Sequence, residues 1–130
     1  MKTKYYSMFG KAIDKDGKCH MVTVVGEYQQ FKEDFVEERD IKVDGEFHKV
    51  LTPIKKQKRQ LKLAYSISHP DDKFDKEIGI KVAMRRLRRG EIIGELASYN
   101  FTMLNPDQID MLLLNEVSHI SKYIDTYILR

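Results

Sequence analysis

The sequence predicts an α+β fold, an antiparallel sheet of about five strands followed by two helices, in a single domain spanning residues 1–130. Three observations predict it. The first half of the chain is rich in β-branched and aromatic residues and is broken by the turn signals "DKDG" and "DG". From Pro70 to Gly90, apolar residues recur at helical spacing between an acidic start and a basic end. A second helical stretch opens on "NPD" at residues 105–107. A chain of this length is the size of one domain.

"KYYSMFGKAI" (4–13) and "KCHMVTVVGEY" (18–28) flank "DKDG" and read as a hairpin. Within the second strand, Cys19 and His20 point to opposite faces. "DFVEERDIKV" (34–43) and "EFHKVLTPI" (46–54) flank Asp44 and Gly45, a type I′ turn signal. Pro53 is expected to end the fourth strand, because proline offers no ladder hydrogen bond. "QLKLAYSIS" (60–68) alternates, with Leu61, Leu63, Tyr65 and Ile67 on one face.

The first helix is expected over residues 72–89, with Asp71 or Asp72 capping its free amides and Gly90 closing it at C′. Phe74, Ile78, Val82, Ala83 and Leu87 make its apolar face. Gly79 costs about 1 kcal/mol against alanine in mid-helix, a cost that close packing on the sheet explains. Residues 91–104 read as a short strand or a loop. The last helix takes Asn105 as N-cap and Pro106 at N1. Its core stripe is Ile109, Leu113, Val117, Ile120, Ile124 and Tyr127. Met111, Leu112, Leu114 and Tyr123 widen that stripe beyond one sheet face, so a homo-oligomer is expected over residues 106–128.

With 42% hydrophobic and 33% charged residues, the chain is globular rather than disordered. One cysteine, Cys19, allows no intrachain disulfide. No apolar run reaches signal-peptide or membrane-span length, so no membrane partner and a cytoplasmic location are expected. No Cys or His spacing matches a zinc site, and no P-loop, GxGxxG or GxSxG occurs. The expectation is therefore no metal, no cofactor, no catalytic residue and no enzyme. Capping accounts for Asp71, Asp72 and Asp75 beside His69 more simply than a hydrolytic site does.

Net charge is only +3, but it is unevenly spread. "FKEDFVEERD" (31–40) is acidic, whereas "KKQKRQLK" (55–62) and "MRRLRRG" (84–90) are basic. Lys81, Arg85, Arg88 and Arg89 fall on one exposed stripe of the first helix. A helix dipole accounts for one or two such cations, not four. Two partners fit the surplus: the acidic segment 31–40, or an external anion. For the external reading, Lys81, Arg85, Arg88 and Arg89 hold phosphates, helped by Arg59 from the other basic block. Tyr99 or Phe101 stacks beside them.

"AYSISHPDDKFDKEIGIKVAMRRL" resembles a motif of small bacteriophage proteins, a strand followed by HPxDxFxxxxGxxxAxxR. Here His69, Pro70, Asp72, Phe74, Gly79, Ala83 and Arg86 carry it. The small sheet followed by two helices is similar to the phage Thoeris anti-defence sponge proteins. That resemblance implies an oligomer that sequesters a cyclic ADP-ribose-type signal; it assigns no ligand residue. Three functions follow as expectations. The first is a phage-encoded binding protein that counters host defence by sequestering an anionic nucleotide signal or nucleic acid. The second is an inhibitor that meets a host defence protein through the same basic surface. The third is a small hydrolase around His69.

Overall fold

A computed structural model describes residues 2–98 and 106–128. Four strands form one antiparallel sheet in chain order: β1 (Lys2–Ile13), β2 (Cys19–Val43), β3 (Glu46–Ile67) and β4 (Gly94–Ser98). Helix α1 (Lys76–Arg88) lies between β3 and β4, and α2 (Pro106–Lys122) and α3 (Ile124–Ile128) follow. The α+β class and the antiparallel sheet are as the sequence predicts. The strand count is four rather than five, and β4 comes after the first helix.

The difference lies in the long strands. Residues 29–33 and 55–59 hold no turn residue, so four of the expected strands run on as two, β2 and β3. Their pairing keeps one register from Val22↔Ile67 to Val43↔Glu46, without a bulge. Asp44 (φ 51°) and Gly45 (φ 83°) make the tight turn that joins them, as predicted. Pro53 does not end a strand but pairs with Val36 inside β3. The amide of Ser68 donates to the Met21 carbonyl, so even-numbered β3 residues turn their backbone toward β2 and odd-numbered ones away. Pro53 is odd, and its missing N–H would face an open edge.

Beyond Gln30 and Arg59, neither β1 nor β4 accompanies the pair. Residues 31–43 and 46–58 therefore project as a two-stranded arm of roughly 44 Å.

The remaining sheet is covered on both faces. On one face, Val22, Val24, Tyr28, Leu61 and Leu63 pack against Ile109, Leu113, Val117 and Ile120 of α2 and Ile124 of α3. This is the predicted stripe, with Tyr127 half-buried at its end. The expected single helix is interrupted at Tyr123, and Asp125 beyond the break accepts the Lys15 amide at 2.9 Å. Asn105, the expected cap, lies outside the described residues.

On the other face, Val25 and Ala64 meet Ala83 and Leu87 of α1. Ile78, expected in that apolar face, is instead 59% exposed; Ile80 and Met84 take its place. Gly79 is where the sheet comes closest. A Cβ there would lie 2.6 Å from Thr23 Oγ1, and Ser66 Oγ donates to the Gly79 carbonyl at 2.8 Å. The helix cap is Asp75, whose carboxylate accepts the Glu77 amide, not Asp71 or Asp72. Those two belong to a separate turn in which the Asp72 amide bonds back to the His69 carbonyl. At the other end, Gly90 (φ 78°) donates to Leu87 and Glu91 donates to Arg86, a Schellman closure.

Candidate functional site

Lys81, Arg85, Arg88 and Arg89 all stand exposed on the outer side of α1, the single stripe expected of them. Among the described residues none of the four pairs with a carboxylate. The acidic segment 31–40 has another partner. It lies in β2 of the arm, where Glu33 meets Lys58 at 3.5 Å and Glu38 meets Lys49 at 4.0 Å across the ladder. The internal pairing considered for the arginines is thus made by residues of β3.

Strand alternation also divides the second basic block. Leu61 and Leu63 face α2, so Arg59 shares their side of the sheet, whereas Lys56, Lys58 and Lys62 share the α1 side. Arg59 is half-buried at the base of the arm and does not join Arg85, Arg88 and Arg89. Lys58 and Lys56 instead lie over the rings of Phe31 and Phe35, at 5.6 and 5.2 Å. Tyr99 and Phe101, the expected stacking pair, lie outside the described residues.

Arg86 faces a cavity. It follows Ala83 by three positions, which turns it toward the sheet rather than outward. Pairing of β3 with β4 stops at Leu63, so Tyr65 and Ile67 present open backbone groups at the sheet edge. Arg86 Nη1 donates to the Tyr65 carbonyl at 2.8 Å, and its guanidinium lies 5.3 Å from the centre of the Tyr65 ring. Tyr127 of α3 meets Tyr65 edge to face at 5.3 Å. Together with His20, His69, Ile93 and Glu91 these residues wall a cavity of about 600 Å³. A smaller, more apolar cavity of about 410 Å³ lies between Ser66, Phe74, Ile78 and Val82 on the α1 side.

His20 is buried at the cavity floor, at 4% exposure. Its Nε2 reaches Asp14 Oδ2 at 2.7 Å and its Nδ1 reaches the Ser68 carbonyl at 3.0 Å. An ionised Asp14 and the Ser68 carbonyl can only accept, an arrangement that favours the doubly protonated ring. Burial alone would push its pKa down. The Asp14 hydrogen bond, the Ser68 carbonyl and the charges of Asp14 and Asp125 together raise it above the ordinary value. The hydrogen bond from His20, followed by the Lys18 amide, holds Asp14 below the usual carboxylate range. Asp14 Oδ1 also accepts the amides of Asp16 and Lys18, so one carboxylate ties the first turn to the end of β3.

The sequence reading missed this pair. A signal was present: Ala12 pairs with His20, and Asp14 lies two residues further along the same face. His69, by contrast, is an exposed residue 3.7 Å from Asp71, the geometry of a surface pair. No protein-family model, curated protein or solved structure matches the chain.

Proposed function

We propose that the protein is a non-enzymatic binding protein for a nucleotide-type anion, seated in the cavity at the open end of β3. The observation that carries this reading is the arrangement around Arg86. One donor of a guanidinium with five N–H groups is used on the Tyr65 carbonyl, and its side chain is fixed against a ring. A phosphate can take remaining donors while a base lies against the rings of Tyr65 and Tyr127. The volume is in the usual range for small-molecule sites. Lys81, Arg85, Arg88 and Arg89 add a positive field on the outer side of the same helix.

A small ligand fits better than a nucleic acid. The arm would be the natural element to follow a polymer, yet it carries seven basic and seven acidic residues. It offers no surplus charge to release counterions. The resemblance to phage sponge proteins supplies a setting, sequestration of a host nucleotide signal in the cytoplasm of an infected cell.

Calorimetric titration with adenosine monophosphate, ADP-ribose and inorganic phosphate tests the reading. Arg86→Ala should weaken nucleotide binding at least tenfold, since a hydrogen bond to a charged group is worth about 1.5–3 kcal/mol. The double variant Arg85→Ala, Arg88→Ala should weaken it only a few-fold, and less at high salt. Ligand released on denaturation should keep its mass. A folded Arg86→Ala protein that binds normally, or ligand recovered chemically altered, contradicts the proposal.

The arm favours a second reading, an inhibitor that grips a host protein. Phe47 is 74% exposed and Val36 and Leu51 are similarly open, on a ribbon with no net charge. Two-stranded ribbons are marginal alone, and an exposed apolar surface of this kind marks a protein contact. Capture of one host protein that is lost on arm removal, with no nucleotide bound, would favour it.

A further inference from the structure

The outer face of α2 carries Met111 and Leu114 between opposite charges at its two ends. Asp107, Met111, Leu114, Ser118 and Lys122 recur at i, i+4, i+7, i+11 and i+15, one exposed stripe directed away from buried Ile109, Leu113, Val117 and Ile120. Met111 is 57% exposed and Leu114 44%, although both are large and apolar. From these observations we infer that this stripe is a homodimer interface, in which α2 packs antiparallel against α2 of a second copy about a two-fold axis beside Leu114 and Asn115.

Charge complementarity selects both the occupant and the direction. The antiparallel arrangement sets Asp107 across from Lys122 of the second copy. Met111 then lies over the small Ser118, and the two Leu114 side chains meet at the axis. A parallel pair would instead put Asp107 beside Asp107 and Lys122 beside Lys122. Each two-fold copy of the ion pair repeats at the opposite end, so the surface is complementary to itself, as an isologous interface requires. A single pair of 17-residue helices offers less than the roughly 800 Å² per partner of a standard interface. The dimer is accordingly weak and concentration-dependent.

Sedimentation equilibrium of the full chain over a wide concentration range tests this, with melting curves for each variant. All substituted residues are exposed, so the fold should be retained. Leu114→Glu should give a monomer throughout. Asp107→Lys or Lys122→Asp alone should raise the dimer dissociation constant about fivefold or more, because both symmetric pairs are lost. The double variant Asp107→Lys, Lys122→Asp restores opposite charges across the axis and should recover wild-type association. A wild type that stays monomeric at the highest concentration overturns the inference. So does a dimer that survives Leu114→Glu, or a folded double variant that associates no better than either single change.

Discussion

His20 illustrates how one residue couples the first turn, the end of β3 and the floor of the cavity. Its raised pKa means that its contribution to stability is fully present below the unfolded value near 6.5. That contribution is lost as pH rises through the higher folded value. Asp14 has the opposite sign. Its contribution is present above the unfolded value near 3.8 and is lost as pH falls through the lower folded one. The protein should therefore melt highest between these two ordinary values. The alkaline decline attributable to this pair should vanish in His20→Gln, which starts from a lower melting temperature. A melting temperature of the wild type that climbs steadily from pH 6 to pH 8 would contradict the ionic pair. Cys19 and His20 were legible as residues on opposite faces. The ion pair was not, because it needs the hairpin register and a carbonyl brought from 48 positions away.

Among the elements, α1 shows which parts of a helix a sequence discloses. Its closing glycine and basic last turn follow from local chemistry, and both are present. Its start was misplaced because Asp71, Asp72 and Asp75 are equally good caps, and only packing against Phe9 and Thr23 selects the register. Gly79→Ala separates propensity from packing. Helix propensity alone would favour alanine by about 1 kcal/mol. The Cβ would instead press on the stiff Thr23 side chain, and overpacking costs about 1–3 kcal/mol. The variant should melt several degrees lower; a variant that melts higher would mean that the helix shifts freely. Gly10→Ala should behave alike, since its Cβ would meet Val117 of α2. The long strands were harder to read, since a break was inferred from Pro53, whose effect depends on which edge is open.

The whole molecule divides into a sheet covered on both faces and an arm that contributes nothing to that core. Joining Phe31 to Lys58 through Asp-Gly keeps the hydrogen-bonding phase of the natural turn, because Lys58 and Glu46 are both even-numbered in β3. The shortened protein should melt within a few degrees of the full chain; a large loss would mean that the arm supports the body. The site was legible only in kind. Arginine beside aromatic rings is what the cavity presents, but Arg86, Tyr65 and Tyr127 are brought together by α1, β3 and α3 from three distant segments. The most conspicuous arginines, Arg85, Arg88 and Arg89, face outward for the same helical reason that Arg86 does not. The most direct measurement is a two-dimensional amide NMR titration of the labelled protein with adenosine monophosphate. Saturable shifts are expected at Tyr65, Ile67, His69 and Tyr127 and at the Arg86 side chain, with Arg85 and Arg88 little affected. Shifts confined to the outer arginines, or none at saturating nucleotide, would contradict the proposed site.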